Sequence, residues 1–127
     1  MREYVFTVDL GTSGPKVALF TVDGAFVAGD LAPVPLELLP DGGAQQKPAD
    51  WWHAVTTASR RMLERAAVRG SEICSVAVTS QWSGTVPIAF DGTVLHDAII
   101  WMDSRGAAAV REQVGGRLRL QGYDPRK

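Results

Sequence analysis

The sequence predicts an α/β fold with a mixed sheet, and three observations carry that reading. Three short runs rich in β-branched and aromatic residues open the chain, a stretch of helical period follows, and a nearly continuous apolar run then returns to strand character. Tyr4 to Val8, Lys16 to Val22 and Ala25 to Leu31 are the opening strands. Asp23-Gly24 joins the second to the third, a dipeptide suited to the positive φ of a tight hairpin, so the chain opens as an antiparallel meander. Pro15 fits at the edge of the first loop, where no ladder hydrogen bond is lost.

Residues 32–47 carry several prolines and Gly42-Gly43 without sustained period, and predict a loop. From Pro48 the apolar positions Trp51, Val55, Ala58, Met62 and Ala66 mark one face of a helix. Asp50 near its start, arginines 60, 61, 65 and 69 in its second half and Gly70 beyond suit the helix dipole and its end. Trp51 and Trp52 are adjacent, so one indole must point away from the core stripe. Ile73 to Thr79 predicts a central strand covered on both faces. Val86 to Phe90, Asp91-Gly92 and Thr93 to Leu95 predict a second hairpin, Ala98 to Trp101 a short strand, and Ser104 to Val114 a helix closed by Gly115-Gly116.

Composition bounds the function. A chain of 127 residues with 46% hydrophobic and 21% charged residues suffices for one domain with its own core. The formal net charge is -1, from 13 basic and 14 acidic residues with no basic stripe interleaved with aromatics, which argues against a nucleic-acid partner. No apolar run is long enough for a membrane span, and the chain passes directly into a strand without a leader pattern, so a cytoplasmic location is expected. Cys74 is the only cysteine, which excludes an intrachain disulfide and a cysteine-rich metal site; within its apolar run it is expected to be buried. His53 and His96 lack partners at metal-ligand spacing and are expected to face solvent.

The chemistry gathers in three segments. Asp9-Leu10-Gly11-Thr12-Ser13-Gly14-Pro15-Lys16 puts an acid, hydroxyls, glycines and a lysine into the turn between two apolar strands. Backbone NH groups at glycines form an anion-binding concavity, and an acid beside a phosphate makes sense with magnesium between them. An ordinary hairpin uses the same residue types. Thr79-Ser80-Gln81-Trp82-Ser83-Gly84 follows the strand from Ile73 and so stands at its carboxyl end, where open α/β sheets place ligands. An amide, a hydroxyl and a flat indole there suit a polyol; a polar turn whose tryptophan covers the core is the plainer alternative. In Trp101-Met102-Asp103-Ser104-Arg105 an acid and a guanidinium stand where strand passes to helix, and Asp103 fits either a helix N-cap or a ligand contact.

These segments, with Gln46-Lys47-Pro48-Ala49-Asp50-Trp51-Trp52, resemble in order and spacing the amino-terminal part of the FGGY carbohydrate kinases, above all the xylulokinase-like members. The resemblance implies the ribonuclease-H-like fold shared by sugar kinases, actin and heat-shock chaperone ATPases. It implies that Gly11, Thr12, Ser13 and Lys16 form a first phosphate loop and that Asp9 helps hold Mg2+ through water. It places Gln81, Trp82 and Ser83 against the sugar, and Asp103 with Arg105 in the motif that shapes the same pocket. The implied partners are ATP and a small sugar or polyol, a ketopentose above all, with homodimer formation left open. Two departures stand out: Trp82-Ser83 replaces the Met-His of xylulokinases and the Arg-Glu of glycerol kinases, and Gln45-Gln46-Lys47-Pro48 replaces Glu-Gln-Asp-Pro.

The resemblance covers nearly all of this chain but only the first part of a typical member. In the family the catalytic aspartate, second phosphate loop and adenosine pocket come from later sequence. No catalytic residue is therefore assigned among these 127 residues, which are expected to lack kinase activity alone and to expose apolar surface along an unpaired sheet edge. A catalytically dead sugar- or nucleotide-binding module is the competing expectation, and a chaperone- or actin-like ATPase ranks below both.

Overall fold

Apolar and polar residues alternate along the first strand, and that period decides which face meets the core. In the computed structural model, which describes residues 3–114, β1 (Tyr4–Gly11) buries Tyr4, Phe6 and Val8 against a helix and turns Thr7 and Asp9 to the opposite, open face. β2 (Gly14–Thr21) runs antiparallel to it, paired from Tyr4↔Thr21 to Gly11↔Gly14, so Thr12 and Ser13 alone form the turn. β3 (Phe26–Leu31) pairs antiparallel with β2 and completes the expected meander. Gly14 has φ 139°, and a Cβ there would collide with the Ala32 carbonyl oxygen, so the close approach of the next segment requires glycine. That segment is held by Ala32 N–H to the Pro15 carbonyl and Val34 N–H to the Ser13 carbonyl, both 3.3 Å.

The loop expected over residues 32–47 contains two short strands. β4 (Glu37–Leu38) and β5 (Ala44–Gln46) pair antiparallel. β5 also pairs on its other edge with residues 98 and 99, a distant partner that a local pattern does not reveal. Next comes α1 (Pro48–Ala66), which starts at a proline whose missing N–H costs nothing in the first turn. Ala54, Ala58 and Met62 are its buried residues, with Trp51, Val55, Leu63 and Ala66 half-buried beside them. The helix ends before the arginine and glycine at 69 and 70: Ala67 adopts φ 52°, and the N–H groups of Ala67 and Val68 close on the carbonyls of Glu64 and Leu63. Arg61 and Arg65 do more than oppose the dipole, since both grip Asp30 of β3 at 2.9–3.2 Å.

β6 (Ile73–Ser80) returns parallel to β1, giving the mixed order β3-β2-β1-β6. The expectation of a strand covered on both faces fails. Among the described residues β6 is an edge strand, with Val76 61% and Val78 69% exposed. Cys74, expected to be buried, is exposed for the same reason. α1 lies over β2 and β3 and stops short of β6, leaving an apolar groove of about 670 Å³ lined by Phe6, Val8, Trp51, Leu63, Val76 and Val78.

The second hairpin reduces to the single bridge Ile88↔Val94, around a turn with Gly92 at φ 87°. β7 (Ala98–Ile99) is shorter than expected and pairs with β5, so a second sheet runs β4-β5-β7. Thr85 bridges Ile99 from the other side. α2 (Ala107–Val114) begins three residues later than the sequence suggests, and the glycines at 115 and 116 expected to close it lie outside the described residues.

Candidate functional site

β1 and β6 are parallel neighbours in register from Val5↔Ser75 to Leu10↔Ser80, so the segments leaving their carboxyl ends emerge side by side. Gln81 N–H donates to the Leu10 carbonyl at 2.8 Å and fixes that juxtaposition. The first segment is the Thr12–Ser13 turn, the second the Gln81–Ser83 turn. This is the edge at which open α/β sheets bind ligands.

Asp9 and Lys16 face each other across β1 and β2, with Lys16 Nζ 3.3 Å from Asp9 Oδ2. They stand on the open sheet face with Thr7, Ala18, Phe20, Ala77 and Thr79, around a hollow of about 360 Å³. Their side chains are 47% and 61% exposed, so the pair is loosely held and both groups remain accessible to a ligand. Gly11 needs no unusual φ; a Cβ there would lie 3.6 Å from Lys16 Nζ, over the same open surface.

Thr12 is tied inward. Its hydroxyl donates to Gln81 Oε1 at 3.0 Å and accepts from Trp101 Nε1 at 2.9 Å, so its proton is directed at Gln81. Gln81 Nε2 in turn donates to Gln46 Oε1 at 3.0 Å, which also accepts from Trp51 Nε1 at 3.2 Å. Gln46 Nε2 donates to the Thr12 carbonyl at 2.9 Å and to the Pro35 carbonyl at 3.2 Å. One buried amide, Gln46, which is 2% exposed, thus ties its own segment to those of Thr12, Pro35 and Gln81, and Trp101 joins them through the Thr12 hydroxyl.

Asp103 and Arg105 form a second, adjoining unit. Arg105 Nε donates to Asp103 Oδ2 at 2.9 Å and Oδ1 at 3.2 Å, with Nη2 also on Oδ2. Asp103 Oδ2 accepts the Ala44 N–H at 3.0 Å, and Oδ1 accepts the Arg105 N–H at 3.0 Å. The carboxylate therefore anchors the start of β5 and is not the N-cap of α2, whose first backbone bond runs from Val110 N–H to Gly106. The Arg105 guanidinium lies so close over Gly43 that a Cβ there would come within 3.0 Å of Nε. Hydrogen bonds from Arg105 hold the Asp103 carboxyl down at about 2, below the usual 3.8, with the Ala44 N–H adding to the same effect against the burial that opposes it.

The remaining expected contacts are more open. Trp82 is 65% exposed, and Ser83 adopts φ 51° in an exposed turn. Ser13 is exposed at the tip of its turn, and both histidines are exposed as expected. Sequence reasoning missed Gln46, Trp51 and Trp101 as parts of the site. The available signal was their place inside motifs already quoted, at positions flanking Pro48 and Asp103. Among the described residues no three His, Cys, Asp or Glu side chains converge on a metal position. Magnesium commonly uses one or two carboxylates with water and phosphate oxygens, so the single accessible carboxylate of Asp9 fits a metal delivered with a phosphate ligand.

Comparison with known proteins gives one consistent result. Residues 4–117 match the FGGY family of carbohydrate kinases, N-terminal domain. A glycerol kinase from Thermococcus gammatolerans is 30% identical over 112 residues, covering 88% of this chain and 23% of that protein. Among solved structures, a xyloylose kinase from Brucella ovis superposes with a TM-score of 0.81 at 25% identity, over 91% of this chain and 25% of the other. Gluconate kinase from Lactobacillus acidophilus gives 0.80 at 23% identity, over 92% and 23% respectively. The chain thus spans about a quarter of the length of the relatives it matches.

Proposed function

The chain belongs to the FGGY family of carbohydrate kinases, and from that premise we propose that it supplies the first phosphate loop and part of the acceptor pocket of an ATP-dependent kinase for a small sugar or polyol. The observation that carries the reading is the pairing of the Thr12–Ser13 turn with Gln81 at one sheet edge, where a phosphate donor and a hydroxyl acceptor have to meet. Gly11, Thr12 and Ser13 present backbone to the phosphates, and Lys16 adds a charge to them. Asp9 would hold magnesium through water; when bound, the metal neutralises phosphate charge.

The acceptor lies on the Gln81 side. With Oε1 and Nε2 already bonded inward, Gln81 retains one amide N–H and one carbonyl lone pair for a hydroxyl. Trp82 and Ser83 border it, and Asp103 fixes Arg105 with Nη1 outside their pairing. A ketopentose such as xylulose is the acceptor we propose, supported by the xylulokinase-like arrangement of the four motifs. The base for the acceptor hydroxyl is assigned to sequence beyond these motifs, since Asp9 stands beside Lys16 on the phosphate side.

An ATP-consumption assay with ketoses, aldoses and polyols tests the assignment. A longer kinase polypeptide carrying this domain is expected to form ADP with a ketopentose and to lose magnesium-dependent turnover on Asp9→Asn, while the 127-residue chain alone forms none. Saturable sugar-dependent ADP formation by the 127-residue chain would overturn the division of labour. Normal turnover with Asp9→Asn overturns the metal role, and binding without turnover in every such polypeptide marks a binding module instead.

A further inference from the structure

Gln46 belongs to none of the groups assigned to phosphate or acceptor, yet it touches both sides. Its amide is fully used: two N–H donors reach the carbonyls of Thr12 and Pro35, and its oxygen accepts from Gln81 and Trp51. Among the described residues it is also the one polar residue in the buried class, at 2% exposure. Burying an amide is tolerated only when it is satisfied, and a fully satisfied one admits a single orientation. We propose that Gln46 is a positioning residue that locks the Thr12 turn to the Gln81 turn, so that phosphate loop and acceptor pocket hold a fixed separation.

The bonding pattern gives the two ends of this amide different jobs. The donor end holds the main chain of Thr12 and thereby the backbone that meets phosphate. The acceptor end holds Gln81 Nε2, while Gln81 Oε1 receives the Thr12 hydroxyl, which in turn receives Trp101. Thr12 and Gln81 are thus joined twice, once directly and once through Gln46. The Gln81 N–H on the Leu10 carbonyl fixes the two chain segments side by side, and the ring through Gln46 adds a hold on the Thr12 turn itself against the Gln81 side chain. Trp101 lies outside that ring and reports on it, being bonded to Thr12 and not to Gln46.

The inference rests on the kinase reading for its purpose but is tested separately from it. Gln46→Glu keeps the acceptors for Trp51 and Gln81 and sets a carboxylate against the two carbonyls; Gln46→Met keeps the volume and removes every bond. In the 127-residue chain, hydrogen exchange of the Trp51 and Trp101 indole N–H groups is followed by NMR. Titration with inorganic phosphate is followed at the amides of residues 11–13. Thermal unfolding of each variant is recorded, so that only folded samples are compared.

With Gln46→Glu, Trp51 stays protected, Trp101 exchanges about tenfold faster, and phosphate binds about tenfold more weakly. Acidification protonates the introduced carboxyl, restores a donor, and returns both signals toward wild type. Gln46→Met gives the losses at every pH. If either variant unfolds more easily while Trp101 exchange is unchanged, Gln46 only fills space and the proposal is overturned. Absence of any phosphate response in the wild-type chain counts against the phosphate-loop reading instead; the Trp101 exchange still decides the role of Gln46.

Discussion

The Asp103 side chain is 8% exposed, and its two oxygens take the Ala44 N–H, the Arg105 N–H and the Arg105 guanidinium. Those bonds favour the charged form, so its folded pKa of about 2 lies below the ordinary 3.8. A group depressed in the folded state contributes stability above its unfolded value and loses it as pH falls through the folded value. The contribution of Asp103 is therefore present above about pH 4, shrinks as pH falls from there, and is lost as pH passes below about 2. Asp103→Asn should lower the thermal midpoint at neutral pH and converge with wild type on acidification from pH 4 to pH 2; a gap that persists unchanged to the lowest pH would sink this account. The sequence shows Asp103 and Arg105 as a pair at a strand end. It does not show that the carboxylate reaches Ala44, because that contact spans 59 residues.

At the scale of elements, the end of α1 tests how local strain and tertiary packing trade off. Ala67 sits at φ 52°, a left-handed conformation that crowds a Cβ, and it is exposed. Ala67→Gly should raise stability by about 1 kcal/mol, less what the freer unfolded chain takes back, when read by urea unfolding. A loss of stability would mean that the Ala67 side chain contributes packing. The sequence places a helix end near Gly70, since glycine is the usual left-handed residue, whereas the chain turns three residues earlier and Val68 is drawn into the core at 9% exposure. The same contrast runs through the other elements. The Asp23-Gly24 hairpin, the α1 stripe and the β6 run depend on local pattern and are legible. β4 and β5 are not, since their ladder is completed by β7 more than fifty residues away, at Gln45↔Ile99. The site divides likewise: its motifs are visible one by one, while the bond between Thr12 and Gln81, 69 residues apart, is a product of the parallel pairing of β1 and β6.

Across the whole molecule, burial is uneven between the two sides of the main sheet. α1 covers β2 and β3 around fully buried Leu19, Ala58 and Met62, and Asp30 of β3 binds it through two arginines; Arg65 and Arg61 hold that carboxyl below its usual range against the desolvation that raises it. Over β1 and β6 the sheet opens into the apolar groove, and the outer edge of β6 has no partner strand among the described residues. Ile73 to Thr79 contains no charge and no proline and is rich in β-branched residues, the composition that pairs readily with another edge. The 127-residue chain is therefore expected to bind an apolar dye and to self-associate through β6 as its concentration rises. Val76→Lys places a charge on that surface at a position already 61% exposed, so it disturbs little existing packing. It should reduce dye fluorescence and slow aggregation, while shifting the thermal midpoint by no more than about 3 °C. Unchanged aggregation in Val76→Lys and Val78→Lys would place the sticky surface elsewhere. A large fall in midpoint would instead show that the valines are packed in solution, and that the groove is closed by something from the chain itself.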